Sequence, residues 1–362
     1  MGRMIRKIKV LVVDDSESVR KVITNILNQD PEIEVIGQAS DPYEAVSKIA
    51  GNLPDVITLD IEMPRMDGLT FLKKLMRQHP IPVVVISSIA GAGTVNGLKA
   101  LSLGAKEIIT KPRLSNKELL NEYSIRIIDA IKAAALTDVK IKHVKVLGEK
   151  KITTIQQEKH IGKNQNSNSI SEKIIMVGAS TGGTELISTI LKNLRTDLPG
   201  IMIVQHMPGE FTKAFANRLN TECSLNVKEA EDGDIVYHGC VYIANGFNHL
   251  QLVRESGVYK CKLEAGSLVN RHRPSVDVLF NSAIKYPPKN ITAILLTGMG
   301  SDGAQGMLNL KEAGAMTFAQ DEKSSVIFGM PKEAIRINAA VKIGNPQELI
   351  NWLNTTFHSN EG

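Results

Sequence analysis

The sequence Ile174-Ile175-Met176-Val177-Gly178-Ala179-Ser180-Thr181-Gly182-Gly183 decides the fold of the C-terminal half. Its first four residues are an apolar run typical of a buried strand, and residues 185–194 have the apolar spacing of an amphipathic helix. A glycine-rich turn between strand and helix, with a serine at its centre, matches the nucleophile elbow, which exposes the serine hydroxyl at the end of a sheet. We therefore predict that Ser180 is a nucleophile lying near the unpaired backbone amides that begin the next helix.

A second interpretation of this stretch is a glycine-rich loop that binds a phosphate or a nucleotide. The segment 178–183 does not match G-x-G-x-x-G, and no Gly-Lys-Ser/Thr follows it, so both common nucleotide fingerprints are missing. A nucleophilic serine instead requires a histidine and a carboxylate at the same edge of the sheet. The remainder of the C-terminal half therefore decides between the two interpretations.

The composition is that of an ordinary globular protein long enough for two domains. The chain has 362 residues, of which 43% are hydrophobic and 22% are charged. The apolar run near the N-terminus is short and ends at Asp14-Asp15, so we predict neither a signal peptide nor membrane insertion. The cysteines at positions 223, 240 and 261 are odd in number and lack C-x-x-C spacing, which argues against disulfides and a zinc site and favours a cytoplasmic location.

The net charge of +5 is concentrated in one segment. Between Lys132 and Lys163 there are eight lysines and three acidic residues, so the rest of the chain is balanced. A nucleic-acid-binding face would be a basic patch with arginines and aromatics on a folded domain, and we expect no nucleic-acid binding. Residues 136–171 lack clear periodicity, which predicts a flexible, basic, polar linker. Docking of an acidic partner is the alternative role for this segment.

The N-terminal half alternates short apolar runs with amphipathic helical patterns. This alternation predicts a parallel sheet with helices on both faces, whose ligands bind at the carboxyl ends of the strands. The predicted strands are 8–13, 33–39, 56–59, 83–87 and 107–109, and the predicted helices are 17–28, 42–50, 68–78, 94–103 and 115–134.

Polar residues follow these strands at the same edge of the predicted sheet. Asp14 and Asp15 follow the first strand, and Asp60 ends the third. Three converging carboxylates without histidine or cysteine suit a hard cation such as Mg²⁺. Ser87 and Lys111, at the ends of the fourth and fifth strands, suit a phosphoryl group. A single Asp after a strand is usually a helix cap, but the complete set favours a metal and phosphoryl site.

This set resembles the receiver domain of two-component response regulators over residues 7–125. The matching segments are 12–16 (VVDDS), 59–68 (LDIEMPRMDG) and 110–112 (TKP). The resemblance implies that Asp60 accepts a phosphoryl group from a histidine kinase. Receivers often carry Tyr or Phe three residues before the lysine, and this chain has Ile108 there, which argues against a rotating-aromatic switch.

The same resemblance implies roles for the surrounding groups. Ser87 and Lys111 would contact the acyl phosphate. The Mg²⁺ ion needed for phosphorylation would be bound by four groups, namely Asp14, Asp15, Asp60 and the backbone carbonyl of Glu62.

In the C-terminal half, two further strands end in residues that complete a catalytic triad. The apolar run 200–204 leads to His206, and the run 291–296 leads to a glycine-rich turn that contains Asp302. Because the carboxyl ends of parallel strands share one edge, we expect Ser180 to lie close to both residues. The chain order Ser, His, Asp is no objection, since a triad is identified by its geometry.

The segment 236–263 has a different pattern. Runs at 241–244, 250–254 and 258–263, separated by Asn-Gly and Ser-Gly turns, predict antiparallel strands. His238 and His249 fall in this region and His272 falls in the loop after it, so each is less well placed than His206 for catalysis.

The triad residues have distinct predicted roles. His206 would remove the proton from the serine hydroxyl, and Asp302 would fix the imidazole tautomer and stabilise the imidazolium. A backbone amide from the turn 298–300 would stabilise the oxyanion, and loss of one such donor typically costs about 3 kcal/mol. The alternatives are a non-catalytic module that binds a partner and an esterase that acts on small molecules.

The C-terminal half resembles the chemotaxis protein-glutamate methylesterase family over roughly residues 173–355. The segments that carry the resemblance are 177–184 (VGASTGGT), 205–208 (QHMP), 271–277 (RHRPSVD), 296–300 (LTGMG) with Asp302-Gly303, and 328–331 (FGMP). The resemblance implies a triad of Ser180, His206 and Asp302, an oxyanion hole that includes the Met299 amide, and Thr181 and the loop 271–274 in supporting or substrate-contacting roles. It implies hydrolysis of glutamate γ-methyl esters on chemoreceptors, deamidation of receptor glutamines, and no cofactor for the ester chemistry.

We thus predict an α/β protein with two doubly wound parallel-sheet domains. The expected parts are a flavodoxin-like receiver at 1–135, the linker at 136–171, and a Rossmann-like hydrolytic domain with an antiparallel hairpin region at 172–362. The resemblance implies that the unphosphorylated receiver covers the active site until Asp60 is phosphorylated. The expected partners are a chemotaxis histidine kinase and methyl-accepting chemoreceptors, and the chain is expected to be a monomer.

Overall fold

The computed structural model describes residues 6–87, 92–111, 117–137 and 169–357. Most of the predicted linker lies outside the described residues, so its flexibility and its role stay predictions. No helix in the described ranges has the length and apolar character needed to cross a membrane.

The N-terminal half forms a five-stranded parallel sheet in the order β2-β1-β3-β4-β5. This is the flavodoxin-like arrangement that the sequence predicts. The strand bounds are β1 (Ile8–Val13), β2 (Ile33–Ala39), β3 (Val56–Asp60), β4 (Val83–Ser87) and β5 (Glu107–Thr110). The helix bounds are α1 (Glu17–Leu27), α2 (Pro42–Gly51), α3 (Gly68–Gln78), α4 (Ala92–Ser102) and α5 (Lys117–Ala135).

The C-terminal half forms a seven-stranded sheet in the order β14-β13-β12-β6-β7-β9-β8, and every pair in it is parallel. Its strands are β6 (Ile174–Ala179), β7 (Gly200–Gln205), β8 (Asn226–Glu229), β9 (Cys240–Ile243), β12 (Ile291–Leu295), β13 (Met316–Gln320) and β14 (Lys342–Gly344). Its helices are α6 (Gly183–Lys192), α7 (Gly209–Glu222), α8 (Val276–Ser282), α9 (Ala304–Glu312), α10 (Met330–Arg336) and α11 (Pro346–Thr356). The central strands β12, β6 and β7 are adjacent, so their carboxyl ends lie side by side.

The antiparallel region is smaller than the sequence pattern predicts. Among the strands of the described ranges, β10 (His249–Glu255) and β11 (Val258–Glu264) are the pair that forms an antiparallel hairpin. The run 241–244, predicted to be a third antiparallel strand, instead supplies β9, which pairs in parallel with both β7 and β8. This prediction was wrong because β9 pairs with strands that are distant from it in sequence. As a result, its residues Val241, Tyr242 and Ile243 are almost fully buried within the large sheet.

The two halves pack against each other, and their buried apolar side chains form a continuous cluster. Helix α4 lies against α7, where the Cα of Gly97 approaches the ring of Phe211 so closely that an added methyl group would lie 2.7 Å from it. Helix α5 lies against the loop 271–274 of the C-terminal half. The N-terminal half thereby covers the edge of the large sheet where β6, β7 and β12 end.

Candidate active site

Ser180 occupies the sharp turn between β6 and α6. The backbone N–H of Ser180 donates to the Thr297 carbonyl at 3.0 Å, and Gly182 closes the turn with a φ of 82°, in the left-handed region that favours glycine. A side chain at Gly298 would meet the Cβ of Ser180 at 2.7 Å, so only glycine allows this approach of the two loops. The local sequence therefore forms a strand, a tight turn and a helix, as the elbow interpretation requires.

His206 follows β7 and lies next to the serine turn. Its backbone N–H donates to the carbonyl of Ala179 at 3.0 Å, which fixes it beside the residue that precedes Ser180. The His206 Nε2 lies 2.9 Å from Oδ2 of Asp302, and both side chains are buried. The Nδ1 atom of His206 is also buried and has no hydrogen-bond partner.

Asp302 is held by an unusually complete set of donors. Besides His206, its two oxygens accept hydrogen bonds from Asn270 Nδ2 (2.8 Å), Ser275 Oγ (2.7 Å) and the backbone N–H groups of residues 276 (2.7 Å) and 277 (3.2 Å). Burial alone would raise the pKa of Asp302, but the hydrogen bond and charge of His206, with Asn270 and Ser275, hold that pKa below its usual range. Asp302 is therefore an ionised, immobile partner for the imidazole.

Two residues of this network, Asn270 and Ser275, were not identified from the sequence, and a third, His272, belongs to the loop 271–274 that was expected near the site without a specified contact. The His272 ring stacks on the His206 ring with centroids 3.8 Å apart and an interplanar angle of 13°. Burial and the nearby His206 hold the pKa of His272 well below its usual value, so it remains neutral. The segment 271–277 carries part of the family resemblance, so the sequence pointed to this loop. The contacts made by its side chains could not be predicted.

The predicted supporting residues line a shared cavity of about 300 Å³ at the boundary between the two halves. Thr181 and Met299 line it together with Ser180 and His206. The Thr181 hydroxyl donates at 2.8 Å to Glu107, which belongs to β5 of the N-terminal half. Burial raises the pKa of Glu107 to about 7, against the opposing hydrogen bond from Thr181. Ile108, the residue that replaces the usual aromatic, also lines this cavity and is buried.

A second polar site lies at the carboxyl edge of the N-terminal sheet. Lys111 Nζ lies 2.7 Å from Asp60 Oδ2 and 3.1 Å from Asp14 Oδ2. Burial and the neighbouring Asp14 charge raise the pKa of Asp60 to about 6, although the Lys111 hydrogen bond opposes this rise. Ser87 ends the adjacent strand β4 and is fully buried, and its carbonyl accepts a hydrogen bond from the Lys111 backbone N–H at 2.9 Å.

The predicted cation ligands also meet at this edge. One carboxylate oxygen from each of Asp14, Asp15 and Asp60 lies within 4.8 Å of the others. An all-oxygen, trianionic set of this kind fits the coordination chemistry of Mg²⁺. The backbone N–H of Glu62 donates to Asp60 Oδ1 at 3.2 Å, and the role of the Glu62 carbonyl as a fourth ligand stays a prediction.

Comparison with known proteins identifies both halves. Residues 10–124 match the response regulator receiver domain family, and residues 175–353 match the CheB methylesterase family. A protein-glutamate methylesterase/protein-glutamine glutaminase of Rhodopseudomonas palustris is 50% identical over 353 residues, which cover 96% of each chain. A protein of the same name from Anaeromyxobacter dehalogenans is 49% identical and covers 94% of each chain. The CheB methylesterase catalytic domain of Thermotoga maritima, a solved structure, is 38% identical with a TM-score of 0.50, covering 52% of this chain and 100% of that one.

Proposed function

The chain belongs to the family of receiver-containing protein-glutamate methylesterases/protein-glutamine glutaminases of chemotaxis, and we propose that it hydrolyses glutamate γ-methyl esters on the cytoplasmic helices of chemoreceptors. The reaction releases methanol and leaves a glutamate carboxylate. Attack on a glutamine side chain by the same serine would release ammonia, which accounts for the deamidation activity. Because the substrate lies on the cytoplasmic part of the receptor, the enzyme acts in the cytoplasm.

The arrangement of His206 is the observation that carries this proposal. Nε2 of His206 is paired with the ionised Asp302, so it bears the proton, and the lone pair is left on the buried, unpartnered Nδ1. This is the tautomer that accepts a proton from Ser180 Oγ as the oxygen attacks the ester carbonyl. Asp302 then stabilises the imidazolium that forms.

The remaining steps use the same groups. The backbone N–H of Met299 stabilises the oxyanion of the tetrahedral intermediate. The imidazolium returns its proton to the methoxy group, methanol leaves, and an acyl-enzyme on Ser180 remains. A water molecule activated by His206 then hydrolyses this acyl-enzyme, which restores the serine hydroxyl and releases the glutamate product.

The receiver regulates this chemistry through the contact between the two halves. Asp60 accepts a phosphoryl group from the chemotaxis histidine kinase, and Lys111 and Ser87 contact that group. Asp14, Asp15 and Asp60 would hold a Mg²⁺ ion, which would supply positive charge beside the phosphoryl group. The closed arrangement, with Glu107 bonded to Thr181, blocks the approach of a receptor helix, and phosphorylation weakens it.

The direct test of the catalytic assignment is methanol release from methylated receptor membranes by the full chain. Ser180→Ala is expected to abolish release, because no other residue replaces the nucleophile. Ser256→Ala, in the exposed turn between β10 and β11, is the matched control and is expected to retain the wild-type rate. Normal release by Ser180→Ala would refute the proposed mechanism.

A further inference from the structure

Two arginines beside the catalytic cavity are paired with carboxylates of the covering helix α5. Arg271 Nη2 lies 3.2 Å from Asp129 Oδ1, and Arg273 Nη2 lies 3.3 Å from both carboxylate oxygens of Glu122. Both arginines line the cavity that contains Ser180. The N-terminal half therefore places two negative charges on two positive charges at the entrance to the active site.

The two carboxylates lie on one face of α5. Glu122 and Asp129 are seven residues apart, which places them on the same side of the helix and about 10 Å apart along its axis. Arg126, which lies between them, lines the cavity and donates to the backbone carbonyl of Arg273 at 3.1 Å. Helix α5 thus lies across the active site. Its side that faces the cavity carries Glu122, Arg126 and Asp129, in that order along the helix.

In this closed state, both arginines can still form further hydrogen bonds or ion pairs through their guanidinium groups. The Nε atom of Arg273 is buried and has no hydrogen-bond partner, and its contacts with Glu122 are long for a charged pair. The side chain of Arg271 is 57% exposed. A bond from Arg273 Nη1 to the carbonyl of Gly266, at 2.6 Å, holds this arginine within the C-terminal half, independently of α5.

We propose that Arg271 and Arg273 recognise acidic side chains of the helix that carries the methyl ester, and that α5 occupies this site as a mimic of that helix. This inference rests on the proposed function. The substrate helix would present carboxylates about two turns apart, with the ester between them, where Arg126 lies in the closed state. Phosphorylation would then release the arginines from α5 at the moment when they are needed for the substrate.

The test compares the full-length double variant Arg271→Gln/Arg273→Gln with the wild type, both supplied with acetyl phosphate. For methylated receptor membranes, the variant is expected to raise KM by about two- to thirtyfold, from the loss of two ion pairs of ordinary exposed strength. Its hydrolysis of p-nitrophenyl acetate, a small uncharged ester, reports on the triad separately, and the rise in KM for membranes is expected to exceed the change in that rate. The wild-type KM should rise with ionic strength, and the KM of the variant should not.

Two further variants separate substrate binding from closure. Glu122→Gln/Asp129→Asn loses the same contacts between the halves but keeps the arginines, so it is expected to keep the wild-type KM after activation. Arg271→Lys/Arg273→Lys keeps both charges and should have a KM closer to wild type than the glutamine variant has.

An unchanged, salt-dependent KM in the glutamine variant would overturn the inference while the proposed function stands. An equal rise in KM in Glu122→Gln/Asp129→Asn would also overturn it, since closure would then explain the effect. Absence of methanol release by the wild type would refute the proposed function itself, and the inference with it.

Discussion

Replacement of Glu107 with glutamine is expected to strengthen closure of the receiver over the active site at neutral and alkaline pH. Glu107 lies partly buried in β5 and accepts the hydrogen bond from Thr181, the neighbour of Ser180. Burial raises the pKa of Glu107 to about 7, whereas the positive charge of Arg126 opposes the rise. A glutamine retains an oxygen that accepts from Thr181, but it carries no charge at any pH.

The size of the effect follows from the difference between the pKa of Glu107 when the two halves are closed and its pKa when they are separated. When the halves separate, Glu107 returns to water and to its ordinary pKa of 4.5, compared with about 7 in the closed state. Below pH 4.5 the carboxyl is protonated in both states, so closure is then most stable. As the pH rises to about 7, closure loses roughly 1.4 kcal/mol per pH unit, and the loss levels off at about 3 kcal/mol, or roughly a hundredfold in the closed-to-open ratio.

The assay is the ratio of basal to phosphodonor-activated methanol release between about pH 5 and pH 9. This ratio cancels the pH dependence of the ester chemistry itself, because both rates are measured on the same enzyme. The wild-type ratio should rise with pH until about 7, and the Glu107→Gln ratio should stay low and flat. Glu34→Gln, at an exposed position of β2, is the control and should behave as wild type. A Glu107→Gln ratio that follows the wild-type curve would refute this reasoning.

Substitutions at three other positions test separate parts of the structure. Gly97→Ala places a methyl group 2.0 Å from Ile108 Cδ1 in the same half and 2.7 Å from the Phe211 ring in the other half, so α4 must shift where it contacts α7. Basal methanol release should therefore rise and its stimulation by phosphodonor should shrink; an unchanged basal rate would contradict the described interface. Ser275→Ala removes a 2.7 Å hydrogen bond to Asp302, and kcat for a small ester should fall by roughly tenfold with little change in KM. An unchanged kcat would show that Ser275 does not position the carboxylate. His272→Phe preserves the stacked ring and should keep most of the activity, whereas His272→Ala should lose more of it. An inactive phenylalanine variant would assign the role of base to His272.

The central strands were predictable because their signal is local. Every residue of β6, β7 and β12 is buried, so each appears in the sequence as a mainly apolar run, with Thr292 and Gln205 as the polar exceptions. The edge strands carry no such signal: β8 and β14 are short and partly exposed, and neither was predicted. The misplaced strand β9 shows the same limit, because its pairing partners are decided by contacts that are distant in sequence.

The convergence of the three candidate catalytic residues was predictable for a related reason. Ser180, His206 and Asp302 follow three strands that are neighbours in the sheet, and parallel topology brings the ends of such strands together. The loop residues Asn270 and His272 reach the same site by a path that no periodicity encodes. Asn270 has a φ of 52°, a conformation that asparagine tolerates better than most residues, but a single Asn in a loop is not diagnostic.

The individual residue contacts between the two halves could not be predicted from the sequence. The Glu107–Thr181 hydrogen bond joins residues 74 positions apart. Each residue has an ordinary local role, as the first residue of a strand and as part of the elbow. Their pairing depends on how two separately formed sheets dock, which is set by side-chain complementarity over the whole interface.

The most direct test of receiver-gated hydrolysis is methanol release by the wild type and by Asp60→Asn, each with and without acetyl phosphate. Acetyl phosphate should stimulate release by the wild type, because phosphorylation of Asp60 weakens closure over Ser180. It should leave the rate of Asp60→Asn unchanged, since the acceptor carboxylate is absent. Equal wild-type rates in the two conditions, or stimulation of Asp60→Asn, would contradict the account.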